Sequence, residues 1–161
     1  MNPRTMIGVQ FPNLVIRLCE AADISTVHKL QDEWSKEEVT YGFIPDDQQT
    51  LHDHLGPYFV VAEVENSIIG YCFAKQTIAN NICVLPEGSH VIEIVDLYVR
   101  NQFRRRGIGH ALVDWIFNCA RENGIMGAFL YSSTKDSRNI THFYEQHGFR
   151  TWFVEMYTIF E

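Results

Sequence analysis

At 161 residues the chain fits one domain, long enough to bury about two-thirds of the surface its unfolded form exposes. A hydrophobic content of 46% and an aromatic content of 13% suit a packed core and exclude a disordered chain. The formal net charge of −7 disfavours nonspecific nucleic-acid binding and is compatible with a cationic or amine ligand. Apolar runs are too short and interrupted to span a bilayer, and the opening MNPRTMIGVQFPNLV lacks the apolar core and cleavage site of a signal peptide. A cytoplasmic protein without a membrane partner is therefore expected. Cys19, Cys72, Cys83 and Cys119 show no CxxC spacing and read as reduced thiols.

Leu14–Cys19 reads as a first strand. Asp23 is the expected cap of a helix over 24–37, where Ile24, Val27, Leu30, Gln31 and Trp34 recur at helical spacing. A second, short helix is expected over 46–55, between Pro45 and the Gly56-Pro57 stop. Residues 58–64 and 67–77 flank Glu65-Asn66 and read as an antiparallel hairpin. A further strand over 90–99 leads into a helix from about 107 to 123, with Ile108, Ala111, Leu112, Trp115, Ile116 and Cys119 on one face and Gly124 as its stop. Residues 128–132 form a fifth strand, Ser137 the cap of a fourth helix ended by Gly148, and 149–160 the closing strands. The expected order is β-α-α-β-β-β-α-β-α-β-β, a single α/β domain over 1–161 with a mixed sheet between helices.

The richest stretch is EIVDLYVRNQFRRRGIGHAL, residues 93–112. A strand runs into a basic, glycine-containing turn that opens directly into a helix. Such a turn aims backbone N–H groups and the positive end of a helix dipole at one spot. Arg104, Arg105 and Arg106 add charge, and Gly107 and Gly109 allow close approach of a ligand, which suits a pyrophosphate. No GxxxxGK[ST] or GxGxxG occurs there. His52 and His54 are two apart, and no HExxH or Cys/His cluster exists, so no metal site is expected.

Two motifs resemble the GNAT superfamily of acyl-CoA-dependent N-acetyltransferases. The first is Leu97-x-Val99 followed by the [Q/R]xxGx[G/A] loop, Arg104-Arg105-Arg106-Gly107-Ile108-Gly109; the second is NxxxFYxxxGF from Asn139 to Phe149. The resemblance implies the GNAT fold, with a mostly antiparallel central sheet, and acetyl-CoA as cofactor. It implies that N–H groups of Arg105 to His110, through Gly107, Ile108 and Gly109, wrap the pyrophosphate, and that the arginine side chains, with Lys135 or Arg138, reach the 3′-phosphate. It further implies that backbone near Leu97, Tyr98 and Val99 pairs with the pantetheine arm and that Asn139 and Phe143 lie at the cofactor. Dimers are common in the family, and the closing strands are the candidate homodimer surface.

An amine with a pKa near ~10.4 is only about 0.1% neutral at pH 7.4, a penalty of roughly 4 kcal/mol, and a carboxylate near the acyl carbon, directly or through a water, can accept that proton. Glu93 and Asp96 are the candidates, on opposite faces if the strand alternates regularly, with Glu93 favoured by its place in the family pattern. Tyr144 matches the family's acid for the departing thiolate. By the same analogy Trp34, Tyr41, Phe43 and Trp152 line an acceptor pocket, with Glu37, Glu38, Asp46 or Asp47 facing a cationic group. The expected activity is acetyl transfer to a primary amine of a small molecule. The rivals are a peptide or protein amine, a non-catalytic acyl-CoA-binding domain, and, against the overall acidity, a nucleic-acid binder.

Overall fold

The structure, a computed structural model, describes residues 13–160. Five strands form one sheet in sequential order: β1 (Leu14–Leu18), β2 (Phe59–Val64), β3 (Ser67–Ile78), β4 (His90–Val99) and β5 (Gly127–Leu130). The first four pair antiparallel and β5 joins β4 in parallel, which gives the mixed, mostly antiparallel α/β sheet expected. Between β2 and β3, Glu65 and Asn66 hold φ of 50° and 61°, the paired positive values that a two-residue hairpin turn needs.

Helices α1 (Ile24–Glu37) and α2 (Gln48–Asp53) cover one face, and α3 (Ile108–Glu122) and α4 (Ser137–Glu145) the other. Phe59 and Val61 of β2 meet Ile24, Val27 and Leu30 of α1, while Val60 and Ala62 meet Leu112 and Ile116 of α3. A strand covered on both sides is apolar on both, which is why Phe59–Ala62 shows no polar alternation; Glu63, at the half-buried end, pairs with Arg17. Ile108, Leu112, Val113 and Ile116 of α3 are almost wholly buried. At about 1.5–3 kcal/mol each, they anchor this helix as the base from which the preceding loop projects.

Three local expectations are corrected. The Asp23 side chain does not cap α1; it chelates Arg17 at 2.6 and 3.0 Å and accepts from Glu20 N–H, because a 3-10 turn at 21–23 precedes the helix. Asp136, not Ser137, caps α4 by accepting from Asn139 N–H. Residues 149–160 form no closing strands: from 151 to 160 every residue is exposed and none is in a strand. Smaller shifts affect α2, capped by Asp47 through Thr50 N–H, and β5, which ends at Leu130 rather than 132.

The feature that shapes the site is a bulge in β4. Phe73 pairs with Asp96 and Ala74 with Ile94, so Val95 is one residue too many for β3. Before it, Ile92 and Ile94 face the α3 side and Glu93 the other. After it, Leu97 and Val99 face α3, while Tyr98 joins the α1-side core and Asp96 meets Gln31 of α1. Regular alternation would have put Glu93 with Leu97 and Asp96 opposite. The bulge breaks that phase, and both carboxylates lie on the α1 face.

Candidate active site

β4 and β5 pair only over Val91–Ile94 and Gly127–Leu130, and β4 then continues to Val99 beside β3 without β5. The two strands therefore part just above the bulge. Arg100 N–H donates to Ile69 O at 2.9 Å, so by ladder alternation Asp96 and Tyr98 turn their backbone groups to β3, while Leu97 and Val99 turn theirs to the gap. One is partly taken, since Val99 O accepts from Arg104 Nε at 2.7 Å. What remains is a short stretch of strand edge inside the protein, suited to an extended amide-bearing ligand.

The basic loop closes the end of this gap. Arg105 (φ 61°) and Gly107 (φ 82°) both take left-handed backbone, which folds the loop so that successive N–H groups converge. The first amide of α3 to find a backbone acceptor here is Ala111, on Gly107 O at 3.0 Å. The N–H groups of Ile108, Gly109 and His110 are the first-turn donors a helix leaves over, and they carry its dipole. Arg105 and Arg106 are exposed beside them. The set fits a pyrophosphate: convergent donors and positive charge.

Arg104 departs from expectation. Its guanidinium lies on Glu37 at 2.7 and 2.8 Å and over the Tyr98 ring, and its N–H donates to Asn101 O. It ties the loop to α1 rather than reaching for phosphate, and it uses up Glu37, which also accepts from Tyr98 OH at 2.8 Å. Arg100 is likewise paired with Glu33. Asn139 differs too: its amide donates to Asp136 Oδ2 at 2.6 Å, inside the α4 cap. Lys135 lies over Tyr41 at 5.4 Å.

Phe143 packs on the loop. A Cβ on Gly109 would sit 3.3 Å from Phe143 Cε2, so the small residue sets how closely α4 approaches. Next to it, Asp114, His147 and His110 form a chain, with His147 Nδ1 3.3 Å from Asp114 Oδ1 and its Nε2 2.8 Å from His110 Nδ1. An ionised carboxylate only accepts, so His147 donates from Nδ1 and receives the His110 Nδ1–H at Nε2. Burial holds the His147 pKa below its ordinary 6.5, and His110 adds to that against the opposing pull of Asp114. A depressed histidine stabilises the fold above about pH 6.5, and that stability is lost as pH falls. His147→Gln is accordingly expected to melt with a weaker pH dependence than the wild type between pH 7.5 and 5, with the similarly depressed His54 accounting for part of the remainder. Superimposable pH dependences would refute this assignment.

Tyr144 is buried among Cys72, Leu97 and Phe149 on the α3 side. Burial first, then the Cys72 thiol and Asp96, push its pKa well above the usual phenol range, so the hydroxyl stays protonated. Across the sheet, Asp96 accepts from Tyr71 OH and Gln31 Nε2, both at 2.8 Å, and burial raises its carboxyl pKa against the lowering effect of those bonds. The Gln31 side chain also accepts from Asp46 N–H through Oε1 and donates to the Asp46 carboxylate through Nε2. Gln31 and Tyr71 were missed as site supports; a glutamine on the apolar stripe of α1 was the available signal. Glu93 is half-buried, opposite Lys75 and Phe129, and no hydrogen bond engages its carboxylate among the described residues.

Of the acceptor candidates, Trp34 stacks on Phe43 at 4.0 Å and Tyr98 at 5.6 Å, while Tyr41 stands apart with Lys135. Trp152 packs on Phe153, which meets Tyr131 just past β5. Asp46 and Asp47 are occupied by Gln31 and the α2 cap. The loop after α1 is pinned to the segment after β5 by a Thr40–Thr134 bridge, with Tyr41 N–H on Ser133 O and Lys135 N–H on Val39 O, both 2.9 Å.

The profile of the acetyltransferase (GNAT) family matches residues 23–149. The fold is similar to an aminoglycoside acetyltransferase from an uncultured soil metagenomic sample, solved with sisomicin (TM-score 0.67, 20% identity, covering 92% of this chain and 97% of that one). It is also similar to a ribosomal-protein-alanine N-acetyltransferase from Brucella melitensis biovar Abortus 2308 (TM-score 0.67, 16% identity, 92% and 99%). A predicted acetyltransferase from Clostridium acetobutylicum, solved with acetyl-CoA, matches comparably (TM-score 0.67, 21% identity, 89% and 96%). No curated protein matches. The strand, loop and helix geometry and the profile agree, and the chain belongs to the GNAT acetyltransferase family, whose members use acetyl-CoA.

Proposed function

We propose that the protein is an N-acetyltransferase acting on a primary amine of a small molecule by direct attack within a ternary complex. Acetyl-CoA supplies the acetyl group as an activated thioester. The N–H groups of Gly107 to His110, with Arg105 and Arg106, would hold its pyrophosphate, and Leu97 and Val99 its pantetheine amides.

The observation that carries the reading is the bulge at Val95. It puts Glu93 and Asp96 on the face where α1 and its following loop would receive an amine, while Tyr144 stands on the opposite side of the strand. Glu93, half-buried and with no hydrogen bond to its carboxylate among the described residues, takes the proton the attacking amine must lose. Asp96, held by Tyr71 and Gln31, positions α1 against β4. The Tyr144 hydroxyl donates a proton to the departing thiolate, and a backbone N–H of β4 polarises the carbonyl. The bridge between residues 40 and 134 ties the loop after α1 to the segment after β5, which supports a compact acceptor over a polypeptide lying in an open groove.

The test is thiol release from acetyl-CoA with a panel of polyamines, aminoglycosides, simple amines and an N-terminal peptide. Turnover on a small amine is expected, and Tyr144→Phe should lower kcat by about a hundredfold, the lower range for a general acid. Tight acetyl-CoA binding with no turnover on any amine would sink the catalytic reading. A clear preference for the peptide would replace the small-molecule one.

A further inference from the structure

One series of polar side chains has no part in the chemistry proposed above. Asp114 of α3, His147 just past α4 and His110 in the first turn of α3 are joined in line, at 3.3 and 2.8 Å. The His147 side chain is only 6% exposed, so water does not replace its partners. An apolar pair would hold the two helices together without the cost of burying polar rings. The protons in this series have fixed places. Asp114 accepts, so the neutral pair of histidines carries its protons on His147 Nδ1 and His110 Nδ1. His110 Nε2 is then a bare acceptor, and it makes no hydrogen bond among the described residues. A proton added to either ring has the same outcome. If it enters at His110, Nε2 becomes a donor. If it enters at His147, that ring donates from Nε2 to His110 Nδ1, and His110 must carry its own proton on Nε2. The charged pair always ends in an N–H at His110 Nε2, and the titration belongs to the pair.

That end of the series belongs to the cofactor loop. His110 is the third residue of α3, and side chains in a helix lean toward its N-terminus. The half-buried ring sits on Phe143, which also packs against Gly109. Beside a pyrophosphate, a neutral pair presents a lone pair, which repels it, and a protonated pair presents a charge-assisted donor. We propose, on the cofactor placement argued above, that the His110 imidazole is a phosphate ligand for acetyl-CoA, oriented by His147 and Asp114, and that cofactor binding loads the pair with one proton. The surrounding charges set the balance. Asp114 favours the added proton, and burial beside Phe143 and Phe117 opposes it, as do Arg105 and Arg106 on the loop and Arg121 over Phe117. Burial keeps His147 below its ordinary range, so the free protein holds little charge there at neutral pH. Adjacent phosphate charges reverse that preference.

Calorimetric titration of the full chain with acetyl-CoA at pH 7, in buffers of low and high ionisation enthalpy, counts the protons taken up. Roughly 0.3–1 proton per chain is expected, with affinity rising by up to about tenfold per pH unit as pH falls from 8 toward 6.5. Dephospho-CoA should show the same uptake, because it keeps the pyrophosphate and lacks the phosphomonoester that itself titrates near pH ~6. Uptake lost with that ligand would assign the proton to the 3′-phosphate and overturn the proposal. His110→Gln should bind with no uptake and a flat pH profile, and Asp114→Asn with reduced uptake. A clamp between helices would change Tm in these variants and leave the proton count as it is in the wild type. Wild-type heats identical in every buffer, or undiminished uptake in His110→Gln, would overturn the proposal while leaving the cofactor site standing. Absence of acetyl-CoA binding altogether would instead sink the cofactor placement, and this ligand role with it.

Discussion

Replacing Glu93 by glutamine is expected to lower kcat by about 10²–10⁴-fold while leaving acetyl-CoA affinity unchanged. Glutamine keeps the size and polarity of the side chain and removes only its ability to take a proton. The loss should also depend on the amine. A lysine-like acceptor is almost wholly protonated near neutral pH, whereas an amine with a pKa below about 7 is largely neutral there and has little need of a base. Measured by thiol release across such a series, the variant's deficit should shrink as acceptor basicity falls. A deficit independent of acceptor pKa would assign Glu93 a positioning role. A large deficit for Asp96→Asn with none for Glu93→Gln would move the base to Asp96. Stability separates the two residues as well, because Asp96 holds Tyr71 and Gln31 whereas Glu93 holds nothing among the described residues.

Gly70→Ala is expected to be among the most damaging substitutions of a residue far from the chemistry. A Cβ at this position would lie 2.7 Å from Tyr98 O and 3.2 Å from Val99 Cα, both backbone atoms of β4. Neither can rotate away. Gly70 pairs with Val99, so the clash falls where β4 turns its last groups to the gap and starts the basic loop. Relief requires that β3 and β4 separate locally, at a cost of about 1–3 kcal/mol, or a fall in Tm of roughly 2–12 °C for a domain of this size. The part that survives folding should bind acetyl-CoA more weakly, because Tyr98 and Val99 lead into the loop. Calorimetric melting with and without the cofactor measures both effects. An unchanged Tm would show that the strands yield there at no cost.

Much of this was legible because it is written in local pattern. The α3 stripe, the glycines at 107 and 109 and the Glu65-Asn66 turn each encode their own geometry, and the FY pair placed Tyr144 on the correct helix. What sequence could not show was anything settled by a distant partner. Arg104 looked like a phosphate ligand beside Arg105 and Arg106, but Glu37, 67 residues away, claims it. Asn139, read as a cofactor contact, is a local case instead: Asp136, three residues back in the helix cap, takes its amide. The apolar run at 149–160 has every property of a strand except a neighbour, and strand propensity does not say where the neighbour is. The bulge was invisible for another reason. Period-two reasoning assumes one residue per rung, and Val95 violates the count without any unusual side chain.

That one surplus residue makes β4 sensitive to length in a way it is not to identity. Up to Ile94 the strand is in step with one reading of its two sides, and from Asp96 onward with the other. Substitutions of similar size along it change a contact. Loss or gain of a single codon would instead put the apolar residues of one half where polar ones belong. The place where this strand changes phase therefore shapes the site as much as the residues it carries.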